Sequence, residues 1–148
     1  MINRHTLDNG LRIVHYEDTT TQMVAVNILY NVGARNEDPE HTGYAHLLEH
    51  LMFEGSINIP DYDTHVQLAG GENNACTNND LTNYYITLPK ENIATALWLE
   101  SDRMRGLEIS DEVLEGEKRV VLEEYNQRYL KTGTLIAFFV ATIVWGWN

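Results

Sequence analysis

The 148-residue chain contains a single cysteine, three prolines and only 10 lysine and arginine residues against 22 aspartate and glutamate residues. One cysteine excludes an intramolecular disulfide framework and any cysteine-rich zinc module. The few prolines, together with ten glycines, argue against a collagenous or low-complexity chain. The formal charge of −12 argues against nucleic acid as a partner, because phosphate binding needs clustered lysine and arginine, and suits basic ligands or a cation instead.

The sequence also lacks a hydrophobic run long enough to span a membrane. Its main apolar stretch, 135–147, is shorter than the roughly 20 residues that a spanning helix needs, and no membrane partner is expected. Residues 1–6 have no apolar core of the kind found in a secretory signal. We therefore expect a cytoplasmic protein. A periplasmic or organellar location stays open, because a mature protein that has lost its signal would look the same.

The composition, with 43% hydrophobic and 22% charged residues, is that of a globular protein. The length suits one domain or part of one. An Asn-Gly turn in the segment 8–10 predicts a hairpin. Strand patterns cover 4–7, 11–16, 23–32 and 84–88, and helical patterns cover 42–53, 60–69, 91–105 and 110–129. This order of elements predicts an α+β fold with a mostly antiparallel sheet packed by helices.

Local signals predict how three of these helices begin or pack. Thr42 and Ser110 are the expected N-caps of the first and last helices, because their hydroxyls can accept a backbone N–H. The third helix, 91–105, should bury one apolar face. That predicted face consists of Ile93, Ala94, Leu97 and Trp98.

Two of the histidines are the candidates for binding a metal ion. His46 and His50 are four residues apart on a predicted helix, so both imidazoles can face one metal ion. Glu49 points to the same side, somewhat off the ligand axis. Zinc lowers the pKa of a coordinated water to about 7, and a neighbouring carboxylate can take the remaining proton. The spacing, HxxEH, therefore offers two zinc ligands and a general base, the alternative being a pair of surface or capping histidines.

A catalytic zinc uses three protein ligands, and the last helix offers candidates for the third. Glu117 and Glu124 are seven residues apart, so both can lie on the side of the apolar stripe. There a carboxylate costs free energy unless it is paired or bound to a metal. Glu123 points about 100° away and is expected in solvent. Any one of these glutamates alone is consistent with a charged surface helix, but with the histidines they favour a two-helix His2Glu site.

Four segments, in this order, resemble the pitrilysin/insulinase family of zinc metallopeptidases, peptidase family M16. They are TLDNGLRIV, NVGARNEDPEHTGYAHLLEHLMFEGS, GGENNACTNNDLTNYY and EGEKRVVLEEYNQR. The resemblance implies the metallopeptidase-type α/β roll. It also implies a zinc-dependent endopeptidase that hydrolyses peptides or small proteins, as processing proteases do.

Carried over by position, the resemblance implies that His46, His50 and Glu124 bind Zn2+. It implies that Glu49 is the catalytic base that removes a proton from a water on the metal. The first glutamate of the family's paired-glutamate pattern supports the site without binding the metal, and it corresponds to Glu117.

The resemblance also places a substrate-binding strand at Asn74 and Ala75, which match the family's Asn-Ala pair. In the family this edge strand accepts the substrate backbone by β-augmentation. Without the resemblance, Asn73 and Asn74 would be predicted to form a turn. Cys76, next along the chain, is expected to be a buried, unreactive thiol.

The resemblance ends near residue 130. Residues 1–130 are thus expected to form the N-terminal portion of a catalytic domain, an incomplete roll, and 131–148 a divergent apolar tail. We interpret the tail as a truncated or frame-altered end, in preference to a short variant whose tail fills the core. The implied partners are a peptide or unfolded polypeptide substrate and a second homologous half-domain or a second copy of the chain. The alternative function is an inactive fragment or a non-catalytic assembly partner on the same fold.

Overall fold

The computed structural model describes the backbone of residues 1–130 and the side chains of residues 1–128, so the predicted tail, 131–148, lies outside the described residues. The strands are β1 (Ile2–Thr6), β2 (Arg12–Tyr16), β3 (Met23–Tyr30), β4 (Glu72–Thr77) and β5 (Thr82–Pro89). The helices are α1 (Tyr44–Leu51), α2 (Tyr62–Leu68), α3 (Ile93–Arg103) and α4 (Asp111–Tyr125), the last continued by a π-helical turn, Asn126–Leu130. All strand pairs are antiparallel, which confirms the predicted α+β class.

Strands β1 and β2 form the predicted hairpin. Gly10, with a φ of +88°, has the left-handed backbone conformation of the turn, and its N–H donates to the carbonyl of Leu7 over 2.9 Å. Every residue of both strands is exposed in the part of the chain that the structure describes.

The larger sheet has the strand order β3-β5-β4. The central strand, β5, alternates in burial, and Tyr84, Ile86 and Leu88 point to the face on which the helices pack. Because successive side chains of a strand point to opposite faces, this alternation directs one face into the core. The core combines these strand residues with side chains from α2, α3 and the loop before α2, namely Ile59, Tyr62, Val66, Ala96 and Leu99. Within residues 1–130, no helix combines the length and the hydropathy needed to cross a membrane.

Helix α1 begins differently from the prediction, because Thr42 is not its N-cap. The cap residue is Gly43, whose backbone is left-handed at φ +93°, and it has no side chain to accept a hydrogen bond. The Glu37 carboxylate accepts from the backbone N–H groups of Gly43 and Ala45 instead. The predicted cap at Thr42 is therefore wrong, because a longer side chain from the preceding loop takes its place. The other predicted cap, Ser110, accepts from the N–H of Val113 and is confirmed.

Helix α3 buries a different face from the one predicted. Ile93, Leu97 and Trp98 are 39–53% exposed, whereas Glu100 and Arg103 are buried. The Arg103 guanidinium pairs with the Glu100 carboxylate and stacks on three aromatic rings, those of Phe53, Tyr62 and Tyr84. The predicted apolar face of α3 is therefore wrong. Apolar spacing does not reveal this burial, because an ion pair whose charges neutralise each other can be buried among aromatic rings.

The segment before β5 forms a strand, β4, and not the turn that Asn73 and Asn74 suggest by themselves. The turn lies further on, where the side chain of Asn78 accepts from the N–H groups of Asp80 and Leu81. Cys76 is exposed, so its predicted burial is wrong. Side chains alternate between the two faces of a strand, and Cys76 lies on the face of β4 that points away from the helices covering the sheet.

Candidate metal centre

Helix α1 places the two histidines of the HxxEH sequence side by side. The Nε2 atoms of His46 and His50 are 3.3 Å apart, and the ring centroids are separated by 4.9 Å. Residues four apart share one face of a helix, and Leu47 and Leu51, each about 100° further round α1 than the histidine it follows, are buried. The local helical geometry therefore directs both imidazoles outward from the core, towards helix α4.

Helix α4 packs against α1 and contributes a carboxylate to the same point. The Oε2 atom of Glu124 lies 3.4 Å from Nε2 of His46 and 3.8 Å from Nε2 of His50. Donor atoms bound tetrahedrally to zinc at about 2.0–2.1 Å lie about 3.3–3.4 Å from one another. The three donor atoms thus fit around one small cation, and the structure brings all three predicted ligands together.

Glu117 contacts the far side of one imidazole. Its Oε2 atom lies 3.0 Å from Nδ1 of His50, and both side chains are only 19% exposed. When Nδ1 of His50 carries the proton and donates to this carboxylate, Nε2 is left with its lone pair free for a metal ion. Glu117 is therefore placed on the nitrogen of His50 that faces away from His46 and Glu124, and its supporting role stays a prediction.

Glu49 has a buried oxygen without a partner. Its Oε2 atom is inaccessible to solvent and makes no hydrogen bond to any of the described residues. A buried, unpaired carboxylate oxygen is costly unless a water, a proton or an ion completes its environment. Glu49, which lies between the two histidines in the HxxEH sequence, thus has a side chain that still needs a water, a proton or an ion.

Glu123 does not join the cluster. Its side chain is exposed and accepts from Nε2 of Gln127 over 3.0 Å on the outer surface of α4. This is the solvent-facing position that the helical rotation predicts for Glu123, and it leaves Glu124 as the ligand candidate.

A further carboxylate near the centre was not predicted. Burial, together with the carboxylates of Glu117 and Asp63, raises the pKa of Glu54. Glu54 therefore belongs to the same electrostatic environment as Glu117 and His50, with its charged form disfavoured by burial and by the neighbouring carboxylates. No sequence signal identifies Glu54, because it follows the end of α1 and approaches Asp63 only through the fold.

Strand β4, which carries Asn74 and Ala75, forms one edge of the three-stranded sheet and lies against α1. The N–H of Asn78 donates to the carbonyl of Leu81 at the start of the β4–β5 pairing. Because hydrogen-bonded and non-hydrogen-bonded pairs alternate along an antiparallel ladder, Ala75 and its partner Tyr84 form a non-hydrogen-bonded pair. The backbone N–H and C=O of Ala75 therefore point away from β5, and the side chain of Asn74 accepts from that N–H over 2.7 Å.

Sequence reasoning also missed a buried polar network behind the centre. Tyr62 donates to Glu100, and Arg103 reaches the carbonyl of Met52, at the end of α1, over 3.5 Å. Burial raises the pKa values of Tyr62 and Tyr84. The network ties α3 to the helix that carries the histidines, and its signal in the sequence is only a glutamate and an arginine three residues apart.

The fold and this donor set define a class of protein, an α+β protein with a two-histidine, one-glutamate centre of the kind that zinc hydrolases use. The family model of Insulinase (Peptidase family M16) matches residues 12–137. The chain belongs to peptidase family M16, which confirms the resemblance.

Individual relatives agree with this assignment. The chain is 36% identical over 126 residues to zinc protease PqqE of Helicobacter pylori, covering 83% of this chain and 28% of that protein. It is 30% identical over 122 residues to the mitochondrial-processing peptidase subunit beta of Dictyostelium discoideum, covering 80% and 26%. The crystal structure of a protease from Helicobacter pylori matches with a TM-score of 0.81 and 35% identity, covering 86% and 31%.

These similarities support a peptidase-type function. The chain spans less than a third of the length of each of these three proteins, since it covers 26–31% of them.

Proposed function

We propose that this chain carries the catalytic centre of a zinc-dependent endopeptidase that hydrolyses peptides or small proteins. His46, His50 and Glu124 hold the Zn2+ ion. The observation that carries the proposal is the convergence of their three donor atoms, at separations of 3.3, 3.4 and 3.8 Å. Relatives named zinc protease support the choice of metal.

Glu49 is the catalytic base. When bound, zinc supplies a Lewis acid that polarises the scissile carbonyl and lowers the pKa of a coordinated water. The Glu49 carboxylate removes the proton from the attacking water and returns it to the leaving amine. Its buried oxygen without a protein partner suits this role, because no protein donor competes for the lone pairs that would accept that proton.

Glu117 holds the ring of His50 in the metal-binding orientation. Its contact with Nδ1 places the proton of the neutral imidazole on that atom, so that Nε2 remains the donor to the metal. A carboxylate in this position also makes the imidazole a stronger ligand.

The substrate is an extended peptide or an unfolded polypeptide bound along β4. Ala75 presents its backbone N–H and C=O at the open edge, and the side chain of Asn74 covers that N–H until a substrate carbonyl replaces it. Pairing through the main chain gives affinity with little demand on the substrate sequence. Because α1 lies against β4, a peptide on this edge passes close to the metal centre.

A second homologous half-domain, or a second copy of the chain, is proposed as the partner that encloses the substrate. One relative is named as a subunit of a processing peptidase. The alternative function is an inactive fragment or a non-catalytic assembly partner.

Metal content and turnover separate these functions. The purified full chain should contain about one zinc per molecule and should cleave a quenched peptide. A chelator should abolish cleavage, and added zinc should restore it. Glu49→Gln should retain zinc and lose turnover, while the matched control Glu123→Gln retains both. Zinc without turnover in the unmodified chain would support the alternative, and cleavage by Glu49→Gln would refute the assignment of the base.

A further inference from the structure

The helix that carries the two histidines receives its N-terminal cap from a side chain six residues before its cap residue. The Oε2 atom of Glu37 accepts from the N–H of Gly43 over 2.7 Å, and Oε1 accepts from the N–H of Ala45 over 2.6 Å. Gly43 has a left-handed backbone instead of the extended conformation of an ordinary N-cap, and it has no side chain that could cap the helix. One carboxylate therefore holds two of the free donors of the first turn.

The loop that carries Glu37 is itself attached to the turn between β4 and β5. The N–H of Ala34 donates to the carbonyl of Asn78, and the N–H of Arg35 donates to the carbonyl of Asn79. The approach is so close that a Cβ on Gly33 would lie 2.4 Å from the oxygen of Asn78. Glu37 thus connects the start of α1 to the hairpin whose edge strand is β4.

The two histidines differ in what holds them. The ring of His50 is held by Glu117 and is 19% exposed. The ring of His46 is 39% exposed and has no such carboxylate on its Nδ1 atom among the residues that the structure describes. The position of His46 therefore depends on the backbone of the first turn. It directly follows Ala45, one of the two residues that Glu37 holds.

We propose that Glu37 is a positioning residue for the metal centre. It fixes the first turn of α1, and with it His46, relative to the β4–β5 hairpin. It thereby sets both the arrangement of the donor atoms and the distance from the centre to the edge strand. The negative charge also stabilises the helix N-terminus to which it is bound. As far as it concerns metal binding, this inference rests on the proposed function.

The test replaces Glu37 in the full chain and measures metal binding by competition with a chelator. Glu37→Gln keeps the size of the side chain but removes the charge and one of the two acceptors. Residues that orient metal ligands typically change affinity about 10–100-fold, and we expect a loss at the lower end of that range, about 10-fold. The absorption spectrum of the Co2+ form should change as well, because His46 moves relative to the other donors.

The matched control is Asp61→Asn. Asp61 caps α2 through the N–H of Thr64, and α2 carries none of the proposed ligands. This variant removes a charge from the cap of a helix without ligands, and it should change neither metal affinity nor the Co2+ spectrum. Equal metal affinity in Glu37→Gln and the unmodified chain, or equal losses in Glu37→Gln and Asp61→Asn, would overturn the positioning role.

A second measurement does not depend on the metal. In metal-free protein, the imidazole carbon resonances of His46 should shift in Glu37→Gln, while those of His65, on α2, stay in place. If the unmodified chain binds no metal, the proposed function fails, and this measurement still decides the role of Glu37. Glu37→Asp, which keeps the charge but is too short to reach both N–H groups, should show the same shift. Unchanged His46 resonances in both variants would refute the inference.

Discussion

Nδ1 of His50 lies 3.0 Å from Oε2 of Glu117, across the contact between α1 and α4. Both side chains are 19% exposed, so solvent screens the contact only weakly. The pair joins the helix that carries the histidines to the helix that carries Glu124, and it leaves the other nitrogen of His50 directed at Glu124. The two helices therefore share more than the candidate metal centre, since a carboxylate from one orients a ligand on the other.

Glu117→Gln should weaken zinc binding by about 10–100-fold, because the imidazole of His50 loses the carboxylate that orients it. Competition with a chromophoric chelator measures this change. Glu123→Gln, on the exposed side of the same helix, is the control and should bind zinc as the unmodified chain does. Equal affinities of the two variants would show that Glu117 has no part in holding His50.

Arg103→Met should destabilise the fold by about 3–5 kcal/mol, because Glu100 would keep a buried charge without its partner. The side chains of Glu100 and Arg103 are only 3% and 1% exposed, so solvent cannot compensate. Urea unfolding measures the loss. Adding Glu100→Gln to this variant should recover part of the stability, since it removes the unpaired charge. A double variant less stable than Arg103→Met would contradict this explanation.

Ala75→Pro should raise KM for a peptide substrate roughly 2–10-fold, the effect of losing one main-chain hydrogen bond. Its N–H points to the open edge, so the β4–β5 ladder should survive the change. Cys76→Pro is the contrasting variant, because Cys76 and Asn83 form a hydrogen-bonded pair, and it should chiefly lower stability. Peptidase kinetics and urea unfolding distinguish the two. An unchanged KM in Ala75→Pro would argue against substrate binding at this edge.

Asp102 should make stability depend on pH in the acid range. Hydrogen bonds from the Ser56 hydroxyl and from the side chain and backbone of Asn58 lower the pKa of this carboxyl. A lowered folded pKa contributes stability that is present above the unfolded value, about 3.9, and is lost as pH falls through the folded value. The difference in urea midpoint between the unmodified chain and Asp102→Asn should therefore shrink below about pH 4. A constant difference down to pH 2 would contradict this.

Elements with local signals were predictable from the sequence. The Asn-Gly turn that joins β1 and β2 and the cap at Ser110 both depend on residues within a few positions of one another. The helical pairing of His46 with His50 is of the same kind, since a spacing of four residues suffices to bring the rings together. Spacing along α4 also indicated the sides on which Glu117 and Glu123 lie.

Other features needed the tertiary structure. The cap of α1 comes from Glu37, the buried face of α3 carries the ion pair of Glu100 and Arg103, and the segment at Asn74 becomes an edge strand by pairing with β5. Each of these depends on a partner brought close by folding, and in each the local preference points elsewhere. Local propensities are weak compared with burial and hydrogen bonding, which is why tertiary contacts override them.

The sequence by itself determined the α+β class, the family and the pair of histidines that define the candidate centre, because these depend on patterns along the chain. Only the tertiary structure decided that the carboxylate of Glu124 lies within 4 Å of both imidazoles and that Glu37 holds the helix that carries them. The physical reason is that a metal centre requires donor atoms within a few ångströms of one another. Packing of α4 on α1, and not spacing in sequence, sets that distance.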